Sequence, residues 1–137
     1  MKRFFLLSLV AMMFVATLIT SCSMQSMTFK NLEKKGYIIG QLTPAQQVEM
    51  APLMKAFPAF NLNAEGYLAS EYSISYLYVA TNETWLDYGT ALTNAGFSKI
   101  GAGYVKIDRT AGITYNVTGK SAGEGYMILT FTSTVLQ

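Results

Sequence analysis

The sequence predicts an α+β domain: a mostly antiparallel sheet of about four to five strands with two or three helices packed on one face. Three observations predict it. Helix-start chemistry recurs at Thr43-Pro44 and at Asn82. Alternating residues between Tyr67 and Thr81, and three further runs after Gly103, read as strands. The last runs are joined by short glycine-containing turns, and short turns between successive strands imply antiparallel hairpins.

In chain order, the first segment is not part of that domain. Met1-Lys2-Arg3 is basic, Phe4 to Ile19 is apolar and uncharged, and Thr20-Ser21-Cys22 closes the stretch with small residues. This is the pattern of a secretory signal peptide, and the apolar run is short for a span of about 20 residues, which sets aside a retained signal anchor. Ile19-Thr20-Ser21-Cys22 resembles the lipobox of bacterial lipoproteins, in which an aliphatic residue and two small ones precede an obligatory cysteine. The resemblance implies cleavage before Cys22 and a diacylglycerol on its sulfur, with acylation of the new amino group. Two or more chains make a stable anchor where one is marginal. Ser23 follows Cys22, and in that family the absence of Asp there points to the outer membrane, here facing the periplasm. The expected organisation is therefore a signal peptide over 1–21, a lipidated flexible tether over 22–28, and one small domain over 29–137.

The elements of that domain follow from local chemistry. Phe29 to Lys35 forms two helical turns closed by Gly36, and Tyr37 to Leu42 a short strand. Thr43 caps the next helix, Pro44 starts it, and Gln46 completes a capping box. Val48, Ala51 and Met54 share one side; Pro52 divides the helix and Pro58 ends it. Asn61 to Glu65 is a loop. Tyr67 to Thr81 reads as one strand, with room for another before it. Tyr72, Ile74, Tyr76 and Tyr78 fall on one face and Ser73, Ser75, Leu77 and Val79 on the other, whose change from polar to apolar predicts cover on both sides of the C-terminal half. Asn82 is the expected N-cap of a helix carrying Trp85, Tyr88, Leu92 and Ala95 on its buried stripe and ending at Gly96. Strands over 103–109, 113–119 and 126–135 complete the sheet. A weak internal echo links Leu32, Gly36 and Tyr37 to Leu92, Gly96 and Phe97, and Gly66-Tyr67 to Gly103-Tyr104, at different offsets.

Composition narrows the function classes. Of ten basic residues Lys2 and Arg3 leave with the signal, so eight face eight acidic ones and the mature domain is formally neutral. That argues against a nucleic-acid footprint, a polybasic membrane patch and strong steering of charged ligands. There is no histidine, and the one cysteine is Cys22. His-based triads, most zinc sites, thiolate chemistry and disulfides are accordingly excluded from the folded domain, and no cofactor is expected. No P-loop, nucleophile elbow, dinucleotide fingerprint or calcium loop occurs. Gly101-Ala102-Gly103 reads as a turn rather than a phosphate cradle because a strand follows it. The sequons at Asn82 and Asn116 read as accidental in a bacterial chain.

Three constellations remain. Glu83 and Asp87, one helical turn apart, are either a carboxylate pair for acid–base work or a solvated first turn complementing the helix dipole. Lys106 and Asp108 share a strand face and read as an exposed charge pattern. Tyrosines are enriched in the strands, and Tyr72, Tyr76 and Tyr78 are the best candidate binding face, with core packing as the alternative; Trp85 reads as a core anchor. The leading expectation is a non-enzymatic lipoprotein of the envelope that binds another envelope protein. The alternatives are a small-ligand or glycan binder using the tyrosine face, and a carboxylate-dependent hydrolase.

Overall fold

The structure, a computed structural model, describes residues 27–123 and 125–136. The expected signal peptide and Cys22 lie outside the described residues. The first helix, α1 (Met27–Lys34), begins inside the stretch expected to be tether. Strand β1 (Ile38–Leu42) follows, then α2 (Pro44–Met50), a 3₁₀ turn (Pro52–Ala56), and the strands β2 (Ala64–Ser70) and β3 (Ser73–Val79). Helix α3 (Asn82–Asn94) precedes β4 (Ser98–Ile100), β5 (Gly103–Asp108), β6 (Ile113–Gly123) and β7 (Tyr126–Val135). None of the described helices is long and apolar enough to cross a membrane.

The α+β class holds, but the sheet has seven strands, in the order β1-β2-β3-β7-β6-β5-β4, every neighbouring pair antiparallel. Two strands account for the difference. The run expected as one strand from Tyr67 is a hairpin, with Ser70 opposite Ser73 and Glu71-Tyr72 at its tip. The added strand β4 is three residues long and pairs Ser98 with Val105. Gly101 and Ala102 turn it into β5, as expected of that glycine-rich stretch, with Gly101 at φ 61°.

Local signals fixed the helix boundaries. Thr43 accepts a hydrogen bond from Gln46 N while the Gln46 side chain accepts from Thr43 N, the reciprocal box read from the sequence. Pro52 lacks the N–H an α-helix would use, and the chain tightens there into the 3₁₀ turn. The cap of α3 is Thr81, one residue before the expected Asn82, because its hydroxyl pairs with Thr84 in a second capping box.

The helices do not share one face. Partner residues across strands point the same way, so Ile74, Tyr76 and Tyr78 of β3 face with Phe131, Leu129 and Met127 of β7. That face packs under α3 through Tyr88 and Leu92 and under the 3₁₀ turn through Met54. The opposite face is covered by α1, whose Leu32 packs on Leu77 and Ile128. Each of these three burials contributes about 1.5–3 kcal/mol. The expected two-sided cover of the end of β3 is thus present at Leu77 but stops before Val79, which is 61% exposed.

The internal echo has a geometric counterpart. Tyr37 N donates to Leu32 O and Gly36 N to Glu33 O; Phe97 N donates to Leu92 O and Gly96 N to Thr93 O. These are two matching Schellman caps, each with its glycine at positive φ. Each leads into an edge strand, then a hairpin to a strand flanking β7. Both β3 and β6 are antiparallel to β7 and so parallel to one another. A half-turn about β7 relates such units and exchanges the faces of the sheet, which is why α1 and α3 lie on opposite sides. The offsets differ because residues 43–63, with α2 and the 3₁₀ turn, separate β1 from β2, whereas Gly101-Ala102 alone separates β4 from β5.

Candidate functional site

The expected tyrosine face does not form a surface. Tyr76 and Tyr78 are fully buried, and Tyr72 sits at the hairpin tip, 57% exposed and apart from them. The row breaks because the chain turns at Glu71-Tyr72, and its remainder lies on the face that α3 and the 3₁₀ turn cover. The hydroxyls are spent internally. Tyr76 Oη donates to Gln47 O at 2.6 Å and Tyr78 Oη to Gln47 Oε1 at 2.6 Å. Gln47 Nε2 in turn donates to Leu42 O (3.1 Å) and Leu62 O (2.8 Å), and Tyr88 Oη donates to Pro58 O (2.7 Å). Burial raises all three phenols above their ordinary value; for Tyr76 the neighbouring Tyr67 adds to it, and for Tyr78 the neighbours Tyr76 and Tyr88. Gln47, a hub that joins α2 to three other segments, gave no signal beyond its place in a polar helical stretch. Among the described residues no buried side-chain nitrogen or oxygen lacks a partner, so the core holds no polar group waiting for a ligand.

The charged candidates separate into structural tasks. Glu83 and Asp87 are both exposed on α3 and face solvent rather than a cleft. Lys106, expected to be exposed, is half-buried: its Nζ donates to Ala95 O at 2.9 Å and lies 5.7 Å from the Phe97 ring centre. It closes the C-terminal end of α3, where a cation suits the helix dipole. Asp108 Oδ1 accepts from Ala111 N at 3.0 Å and shapes the β5–β6 turn. Among the described residues no three acidic, histidine or cysteine side chains are grouped to hold a metal ion.

Two surface features remain. The first is a cleft of about 320 Å³ between the start of α3, the β4–β5 turn and the β6–β7 hairpin. Thr81, Asn82, Trp85, Lys99 and Ser121 are among its lining residues. Trp85 is the core anchor expected, edge-on to Tyr104 at 5.6 Å, but it also reaches this opening. It fits there because Gly119 has no side chain: a Cβ would lie 2.9 Å from the indole. Lys99 Nζ is held by Gly101 O at 2.9 Å.

The second is the sheet face opposite the tyrosines. Beyond α1 no described element covers it. In register across it stand Ser73 and Thr132, Asn116 and Thr132, Thr118 and Thr130, Ile107 and Thr114. Ser75 and Thr130 hydroxyls meet at 2.8 Å. Leu68 and Ile107 flank these hydroxyls, 37% and 47% exposed. The register places one charged strand residue on this face, Lys120 opposite Ile128, beside α1. All the other charged strand residues fall elsewhere. The sequence carried this signal as alternating Thr and Asn in 114–118 and alternating Thr in 130–134, a pattern outside the motifs read there.

Comparison of the chain with protein-family models, with curated proteins and with solved structures finds no match.

Proposed function

We propose that the chain is an envelope lipoprotein, anchored by lipid on Cys22 in the outer membrane and facing the periplasm. Its domain acts there as a non-enzymatic binding or accessory module for another envelope protein. The observation that supports the binding reading best is the open, charge-depleted sheet face. Depletion of charge at the centre is one compositional mark of protein-binding surfaces. Serine and asparagine adapt their hydrogen bonds to a partner, while Leu68 and Ile107 supply apolar area.

Two measurements test it. Metabolic labelling with a fatty-acid probe is expected to tag the protein and not its Cys22→Ala variant. A photoreactive residue at Thr118 on the open face is expected to give a discrete adduct in intact cells, and one at Leu86 on the far side of α3 none. Adducts of equal yield from both positions, or none from Thr118, would remove the binding reading.

A second reading, small-ligand binding, moves from the tyrosine row to the Trp85 cleft, whose volume of about 320 Å³ falls at the lower end of ligand pockets. Trp85 is the one tryptophan of the chain and lines that cleft, so a ligand entering it is expected to shift the tryptophan fluorescence.

A further inference from the structure

Helix α1 concentrates positive charge that the balance of the whole domain conceals. Leu32 is its buried anchor, and Phe29 packs beside it, its ring 5.0 Å from Tyr126. Lys30 and Lys34 are four residues apart, and at 100° per residue both project away from Leu32 and the sheet. Both are exposed, as is Lys35 just beyond the helix. Lys120 is exposed on the same face of the sheet, in register with Ile128, on which Leu32 packs. Four lysines thus surround α1, and Glu33 is the one acidic residue on it. The other described acidic residues lie on α2, the β2 strand and its hairpin tip, α3 and the β5 strand.

The position of the helix gives this charge a target. Only residues 23–26 separate Cys22 from Met27, and an extended chain reaches at most about 3.5 Å per residue. A lipid on Cys22 therefore holds the start of α1 within roughly 20 Å of a bilayer surface. We propose that the outward stripe of α1, with Lys120 beside it, docks on anionic phospholipid headgroups and sets the orientation of the domain on its membrane. The inference rests on the anchor reading above. Lysines near an anionic surface each add a modest attraction, and the lipid anchor removes the entropy cost that would otherwise defeat so few. With α1 against the headgroups, the open part of the sheet face stands about one helix diameter, about 10–12 Å, from the bilayer. A protein reaching that face then sits in or on the same membrane.

The test is lysine footprinting of the lipidated protein in nanodiscs of phosphatidylcholine, with or without phosphatidylglycerol, using a small amine-acylating reagent and mass spectrometry. Phosphatidylglycerol is expected to slow modification of Lys30, Lys34 and Lys120 about tenfold, to leave Lys55 and Lys99 unchanged, and to lose its effect at high salt. The double variant Lys30→Glu, Lys34→Glu is expected to expose Lys120 again. Equal modification of these lysines in both bilayers, with lipid present on Cys22 by intact mass, overturns this inference alone. A protein without lipid on Cys22 overturns the anchor reading and this inference with it.

Discussion

The two faces of the sheet are made by the same strands and do opposite things. On one, Tyr76, Tyr78, Leu129 and Phe131 are sealed under α3 and the 3₁₀ turn, and the hydroxyls of Tyr76, Tyr78 and Tyr88 end on internal acceptors. On the other, Ser73, Asn116, Thr118 and Thr132 remain partly or fully accessible, and among the described elements α1 alone covers one end. The difference teaches that aromatic enrichment in strands marked the core, where large rings with a polar tip can be satisfied by a buried amide. The open part of the sheet was marked by missing charge.

Removing the amide hub should separate the faces most sharply. Gln47→Leu keeps volume but leaves Leu42 O, Leu62 O and the Tyr78 hydroxyl without partners. At about 1–3 kcal/mol for each unsatisfied group, a loss near 4 kcal/mol in urea unfolding is expected. A smaller loss follows from Gly89→Ala. Alanine favours helices, but its Cβ would collide with the Tyr104 hydroxyl, which packs against Gly89. A net cost of about 1–3 kcal/mol is expected by the same assay. The open face should tolerate what the core face cannot. Thr118→Glu and Ile107→Glu sit at exposed positions and are each expected to change stability by about 0.5 kcal/mol or less, while Ile107→Glu is expected to abolish the adduct formed from the photoreactive residue at Thr118 in cells. A loss of several kcal/mol from either would mean that this face is as constrained as the other.

Much of the fold was legible where local chemistry decides it. Thr43 with Gln46, Pro52, and the glycines at 36 and 96 fixed helix ends because each satisfies or breaks specific backbone hydrogen bonds. The β2–β3 hairpin was not legible, because Glu71-Tyr72 carries none of the residues that announce a turn. Strand β4 was too short to show alternation. The placement of α1 and α3 on opposite faces depends on the arrangement about β7, which is tertiary information; the repeated Leu-Gly-aromatic caps hinted at it without giving the rotation. The site was less legible still. Tyr76 and Tyr78 looked equally suited to surface and core, and the choice lay with residues 47–60, distant in sequence. Trp85 was read as an anchor, and its second contact with a cleft required Gly119 beneath it.

The central claim, that the tyrosine row is structural and sealed, is tested most directly by alkaline titration. Burial holds Tyr76, Tyr78 and Tyr88 above the ordinary tyrosine value near 10. Above that pH the unfolded chain releases protons that the folded chain keeps, so stability is full below about pH 10 and falls as pH rises, by about 1.4 kcal/mol per unit for each such group. Tyrosinate absorbance and circular dichroism followed together should show these three rings ionising only as the domain unfolds cooperatively. Reversible ionisation of all nine tyrosines near pH 10 with the fold intact would place the row in solvent and contradict the account.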